Sequence, residues 1–335
     1  VDFDHLPFGQ VYTDHMFVCD YENGKWQQPK IIPYQNISLD PSAKIFHYGQ
    51  SVFEGMKAYK DERDDIWLFR PAENQKRLNI SAKRLAMPEI PAEYFMEGLK
   101  ALLVLEKDWI PTTKDSSLYI RPFMFASGNG FHASPSYNYK FIIACSPSGP
   151  YFGGQLKVLI EQKYSRSANG GVGFAKAGGN YAGQFYPTRL AIEKGYQQVI
   201  WTDDTTHENI EEAGAMNIFI RIGDTLITAP TSDRILDGIT RKSIIDIARD
   251  QGIRVEVRNI SVHEIVSAAE NSTLQEMFGA GTAAVISPID AFGFQEKDYE
   301  LPKQEASYAI QLKKRITDIQ YNRSEDKFGW RYAVK

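Results

Sequence analysis

The chain has two cysteines in 335 residues, Cys19 and Cys145. They form no Cys–x–x–Cys and no ligand spacing, which excludes a disulfide scaffold or a zinc module and fits a reducing compartment. No run of about eighteen apolar residues occurs, so no transmembrane helix is expected. Basic residues are not in excess. The net charge is −4 and the pI about 5.9, so neither nucleic acid nor membrane is expected as a partner. The six histidines are scattered without an HxxxH pair, and no metal site is expected. The dinucleotide fingerprint is missing too. Gly171-Val-Gly173 runs on to Lys176 instead of a third glycine. The opening Val-Asp-Phe-Asp-His reads as neither a signal nor a transit peptide, and a cytoplasmic location is expected.

What is present is ordinary and globular: 43% hydrophobic residues and a generous 13% aromatics. The length predicts two domains. The first half alternates strand-like segments (Val11–Tyr21, Lys57–Tyr59 with Ile66–Phe69, Ser117–Ala126, Lys140–Cys145) with two amphipathic helices, Ala72–Ala86 and Pro91–Leu105. Pro147-Ser-Gly-Pro150 suits neither a helix nor a central strand. The expected division is a small α+β domain over 1–147, a linker over 148–155 and a larger domain over 156–335. In the second half, strands are expected at Leu156–Glu161, Gln198–Thr202, Asn217–Ile222, Thr225–Thr228, Val255–Val257, Glu276–Phe278 and Ala283–Ile286. Helices are expected at Gly183–Lys194, Ile239–Asp250, Val262–Ala269 and Lys303–Tyr321. The fold class is therefore α/β and α+β in two domains, with a ligand expected in a cleft.

Lys176 lies in Gly173-Phe-Ala-Lys-Ala-Gly-Gly-Asn-Tyr181, where glycines let the backbone come close to a flat ligand. A lysine so placed can condense with an aldehyde such as pyridoxal phosphate. Glu212 ends an acidic run against an apolar strand, where a carboxylate could keep a pyridine nitrogen protonated. Asp237-Gly238-Ile239-Thr240 enters a helix whose first amides and positive dipole end suit phosphate. Gly279-Ala-Gly281-Thr282 is a second small-residue turn with a hydroxyl. Arg77 offers a planar bidentate guanidinium. Phe53, Tyr119, Arg121 and Tyr151 could form an aromatic and cationic wall. Each group alone also reads as an ordinary solvated charge, turn or core aromatic.

In this order the segments resemble the branched-chain amino acid aminotransferases, fold-type IV enzymes that use pyridoxal 5′-phosphate, in the longer form of that family. The resemblance rests on Phe53-Glu-Gly-Met-Lys-Ala58, Leu68-Phe-Arg-Pro71, Leu118-Tyr-Ile-Arg-Pro122, Gly173–Tyr181, Glu212-Ala-Gly-Ala-Met-Asn-Ile-Phe219, Gly238-Ile-Thr-Arg241 and Phe278-Gly-Ala-Gly-Thr-Ala283. It implies Lys176 as the catalytic lysine, Tyr181 on the cofactor's phenolic oxygen and Glu212 on its ring nitrogen. It implies a phosphate site from Arg77, Ile239, Thr240 and Thr282. Tyr48, Phe53, Tyr119 and Tyr151 would line the side-chain pocket, with Arg121 for the second carboxylate of glutamate and an amide at Thr282–Ala283 for the α-carboxylate. The implied reaction is ping-pong transamination between leucine, isoleucine or valine and 2-oxoglutarate, in a homodimer. A D-amino acid aminotransferase or aminodeoxychorismate lyase of the same fold is the alternative.

Two departures from the family stand out. Ala284 and Ser287 stand where animal members carry a redox-sensitive Cys–x–x–Cys, so thiol regulation there is chemically impossible. Ala215 replaces a common threonine, and a raised KM is expected from the missing hydroxyl.

Overall fold

The computed structural model describes residues 3, 6–113, 115–149 and 155–335. These form two compact units. One is built from the described residues of Val1–Tyr151, Ala175–Gly179 and Asp318–Lys335, the other from those of Phe152–Phe174 and Asn180–Thr317.

The first unit carries a nine-stranded sheet, antiparallel throughout, in the order Arg331–Val334, Ile66–Phe69, Met56–Lys60, Ser117–Ala126, Tyr139–Ser148, His15–Glu22 and Lys25–Trp26. Lys30–Pro33 also pairs with His15–Glu22, and Ser51–Phe53 with Ser117–Ala126. Helices Pro71–Arg84 and Ala92–Leu105 cover one face. Leu78, Ala82, Phe95, Leu99 and Leu102 recur at helical spacing and bury against Leu118, Ile120, Phe141 and Ile143 of the sheet.

The second unit carries a ten-stranded mixed sheet in the order Arg254–Val257, Thr225–Thr228, Met216–Ile222, Ile210–Ala213, Gln198–Thr202, Lys157–Ile160, Ala291–Phe294 and Lys297–Glu300. Leu274–Gly281 branches from Met216–Ile222 and pairs with Val285–Ile289. Helix Ile239–Asp250 has eight buried residues and a strong apolar face. Among the described residues no helix is long and apolar enough to cross a membrane, and no acidic, cysteine or histidine cluster could hold a metal.

Several elements fall where the sequence predicts them, including Ser117–Ala126, Gln198–Thr202, Thr225–Thr228 and Ile239–Asp250. Others differ for identifiable reasons. The closing helix begins at Tyr308, not Lys303. Its first amides are taken by Glu276, which accepts from Tyr308 N at 3.0 Å and Ala309 N at 3.2 Å, and by Ser307 Oγ, which accepts from Ile310 N. The expected strand Ala283–Ile286 begins at Val285, because Thr282–Ala284 form the turn after Gly281. One uninterrupted domain from 156 to 335 does not describe the chain. Arg331–Val334 pairs with Ile66–Phe69 and draws the C-terminal residues into the first unit. Much of the expected linker, residues 150–154, lies outside the described residues, and so does Tyr151.

Candidate active site

In the first unit, Lys176 lies on a short extended segment. Ala177 makes an antiparallel bridge to Val52, and Phe53 N donates to Lys176 O at 3.0 Å. Lys176 N donates to Ser81 Oγ at 2.8 Å, so the buried hydroxyl of Ser81 holds the main chain of the lysine from helix Pro71–Arg84. The ammonium of Lys176 rests over the ring of Phe53, 4.6 Å from its centroid. These ties fix the base of the side chain.

One turn before Ser81, Arg77 is buried and already committed on one edge. Its Nε and Nη2 donate to Glu54 Oε1 and Oε2, each at 2.8 Å. Glu54 is fully buried and accepts a further bond from Asn74 Nδ2 at 2.8 Å. A carboxylate on the fork of Arg77 aims the guanidinium. Glu54 lies inside the Phe53-Glu-Gly motif, yet nothing in that spacing names its partner.

Arg121 is stacked. Its Cζ stands 4.6 Å from the Phe53 centroid and 5.3 Å from that of Tyr119, and Nη2 donates to Tyr119 Oη at 3.0 Å. Among the described residues its buried Nε has no hydrogen-bond partner. The structure therefore brings Phe53, Tyr119 and Arg121 together, with donor capacity left over on the guanidinium. Tyr48 is placed differently. It ends the short helix Lys44–Tyr48, is 41% exposed, and its hydroxyl donates to the carbonyl of Phe131.

In the second unit the acidic run is a buried strand and not a solvated turn. Glu211 and Glu212 lie on Ile210–Ala213 and point to opposite faces. Glu211 meets Arg234 Nε at 2.5 Å; burial raises its pKa against the opposing pull of that arginine. Glu212, 2% exposed, accepts from Leu236 N at 2.9 Å and Asn217 Nδ2 at 3.2 Å, both on Oε1. Its Oε2 lies 2.8 Å from Arg166 Nε. That N–H is not aligned on the oxygen, so the attraction is one of charge more than of hydrogen bonding. Arg166 is itself anchored, Nη1 donating to Arg234 O at 2.6 Å and both Nη atoms to Gly173 O at 3.2 Å. Sequence reasoning misses Arg166, because Ser165-Arg-Ser167 carries no motif.

Gly214 and Ala215 turn the hairpin that sets Glu212 opposite Asn217, and Gly214 takes φ +57°, which suits glycine. Leu236 leads to Gly238, the N-cap of helix Ile239–Asp250. Ile239 and Thr240 are thus the first two helical residues, both buried, with amides at the positive end of the helix dipole. Asp237 pairs with Lys242 at 3.3 Å and sits outside that turn. Thr282 and Ala283 occupy the turn after Leu274–Gly281, whose Ala280 is in register with Asn217. Tyr181, on the short helix Gly178–Ala182, lines a cavity of about 300 Å³ with Gln184, Thr188 and Ala215.

A family model described as amino-transferase class IV matches residues 51–292. The branched-chain-amino-acid aminotransferase 2 of Bacillus subtilis is 44% identical over 338 residues, covering 99% of this chain and 93% of the relative. The solved branched-chain amino acid aminotransferase of Escherichia coli superposes with a TM-score of 0.79 at 27% identity, covering 96% of this chain and all of that one. The branched-chain amino acid aminotransferase of Thermobaculum terrenum, solved in its PLP-form, has the same fold, with a TM-score of 0.78 at 20% identity over 97% of this chain and all of that one.

Proposed function

The chain belongs to the amino-transferase class IV family, among its branched-chain-amino-acid aminotransferases, and from that premise we propose which residues carry the reaction. The reaction is reversible transfer of the amino group between leucine, isoleucine or valine and 2-oxoglutarate, with pyridoxal phosphate as cofactor. The residues present fit that cofactor. Glu212 is a buried carboxylate with both oxygens oriented, and Gly238 caps a helix whose first residues, Ile239 and Thr240, present their amides at its positive end. When bound, pyridoxal phosphate supplies an aldehyde that carries the amino group and an electron-accepting ring.

With the cofactor bound, Lys176 would be the amine that meets its aldehyde, and Lys176 Nζ would be the base that takes the proton from the substrate α-carbon and gives it back. Glu212 faces the ring nitrogen and keeps it protonated. Tyr181 donates to the phenolic oxygen. Arg77, the amides of Ile239 and Thr240, and Thr282 hold the phosphate. Phe53 and Tyr119, with Tyr48, line the side-chain pocket. Arg121 offers its unused donors to the second carboxylate of glutamate, and the amide at Ala283 meets the α-carboxylate. A homodimer in the cytoplasm completes the reading.

The observation that carries it is Glu212, a buried carboxylate held by three separate segments of the chain. The test is the visible spectrum of the purified protein. L-Leucine without an acceptor removes the yellow band, and 2-oxoglutarate restores it. A band untouched by L-leucine but lost with D-alanine would assign the D-enzyme, and no band after adding cofactor would remove the reading altogether.

A further inference from the structure

We propose that Asn217 is a positioning residue that couples the two ends of the cofactor site, the carboxylate for the ring nitrogen and the amide turn for the phosphate. This rests on the reading that Glu212 and the start of helix Ile239–Asp250 serve one cofactor.

Asn217 is 5% exposed and stands opposite Glu212 on the adjoining strand. Its amide nitrogen donates twice, to Glu212 Oε1 at 3.2 Å and to Leu236 O at 2.9 Å. Both partners are acceptors, which fixes the orientation of the amide. Leu236 N returns a bond of 2.9 Å to the same Oε1, closing a triangle between Glu212, Asn217 and Leu236. The other half of the side chain lies against the helix entry. A Cβ on Gly238 would stand 1.9 Å from Asn217 Oδ1. One small planar group therefore touches the ring-nitrogen carboxylate, the segment approaching the helix and the N-cap of that helix. In so dense a packing a shift at one end is carried to the other. A ligand bound at both ends gains from that fixed spacing, because neither contact has to be ordered afresh.

The coupling is read by comparing pyridoxal phosphate with pyridoxal, which lacks the phosphate. Binding is measured by the visible band on the full chain stripped of cofactor. Charge-assisted phosphate contacts give the wild type a preference of about tenfold or more for the phosphate ester. Asn217→Ala lowers that preference by about tenfold, the scale of one buried hydrogen bond to a charged group. In a Glu212→Ala background, where there is nothing to couple, the same substitution changes the preference by less than about threefold. Asn217→Ser keeps a hydroxyl that can serve Glu212 or Leu236 but not both, so it gives the same fall if the alanine variant does not fold. A preference unchanged by either substitution, or an equal fall with and without Glu212, overturns the inference. A wild type that binds neither compound, or both alike, overturns the underlying cofactor reading instead.

Discussion

Replacing Arg166 by methionine removes the cation buried beside Glu212 and keeps most of the apolar stem. Both side chains are 3% exposed and the charged atoms are 2.8 Å apart. At an effective dielectric of 20 their attraction is about 6 kcal/mol. Part of this is offset, because the mutant no longer buries a guanidinium. Stranding Glu212 without its partner leaves a net loss of about 3–5 kcal/mol. The carbonyls of Gly173 and Arg234 also lose the bonds that Arg166 donates, which places the expected loss toward the upper end. For 335 residues the unfolding entropy is about 0.7 kcal/mol per kelvin. The melting temperature of the cofactor-free protein should therefore fall by about 4–7 °C. Differential scanning calorimetry at neutral pH measures it. Arg166→Lys keeps the charge and should lie between the two. A methionine variant within about 1 kcal/mol of wild type, the range of exposed pairs, would refute the claim that Arg166 compensates a buried charge.

Asp61 accepts from Asn322 Nδ2, Trp67 Nε1 and the amides of Arg63 and Asp65. Burial pushes its pKa up, but these bonds outweigh it and hold the carboxyl down to about 2. Its stabilising contribution is thus whole above the usual carboxylate value of about 4 and fades as pH falls toward about 2. The stability gap between wild type and Asp61→Asn should shrink across that window in urea titrations, and a gap constant with pH would count against it. Burial also raises both thiols, Cys19 to about 11, helped by Asp20 and opposed by Lys140, and Cys145 beyond the usual thiol range, helped by Glu106. Neither should react with a disulfide reagent at pH 8 until the protein is unfolded, when both do; rapid labelling of the native protein would contradict this. Arg121→Ala should cut kcat/KM for glutamate by about ten- to a hundredfold and leave that for leucine much less affected. Equal losses in both half-reactions would remove Arg121 from carboxylate recognition.

What could be read in the chain beforehand follows from the range of the forces involved. Helix Ile239–Asp250 and strand Ser117–Ala126 were legible because apolar periodicity is local and each residue's face depends on its own neighbours. The acidic run misleads by the same logic. Locally, Glu208, Glu211 and Glu212 resemble a solvated turn, and only pairing to Gln198–Thr202 and Met216–Ile222 buries the last two. Glu54, Arg166 and Asn217 carry no local signature of their work, since their partners lie 23, 46 and 19 residues away in Arg77, Glu212 and Leu236. Yet burial of polar side chains demands partners, and a buried carboxylate has two oxygens to satisfy. A motif such as Glu212-Ala-Gly-Ala-Met-Asn217 names the group proposed to meet the cofactor. The arginine and the asparagine that hold this group become visible only once the strands are paired, and it is on them that its aim depends.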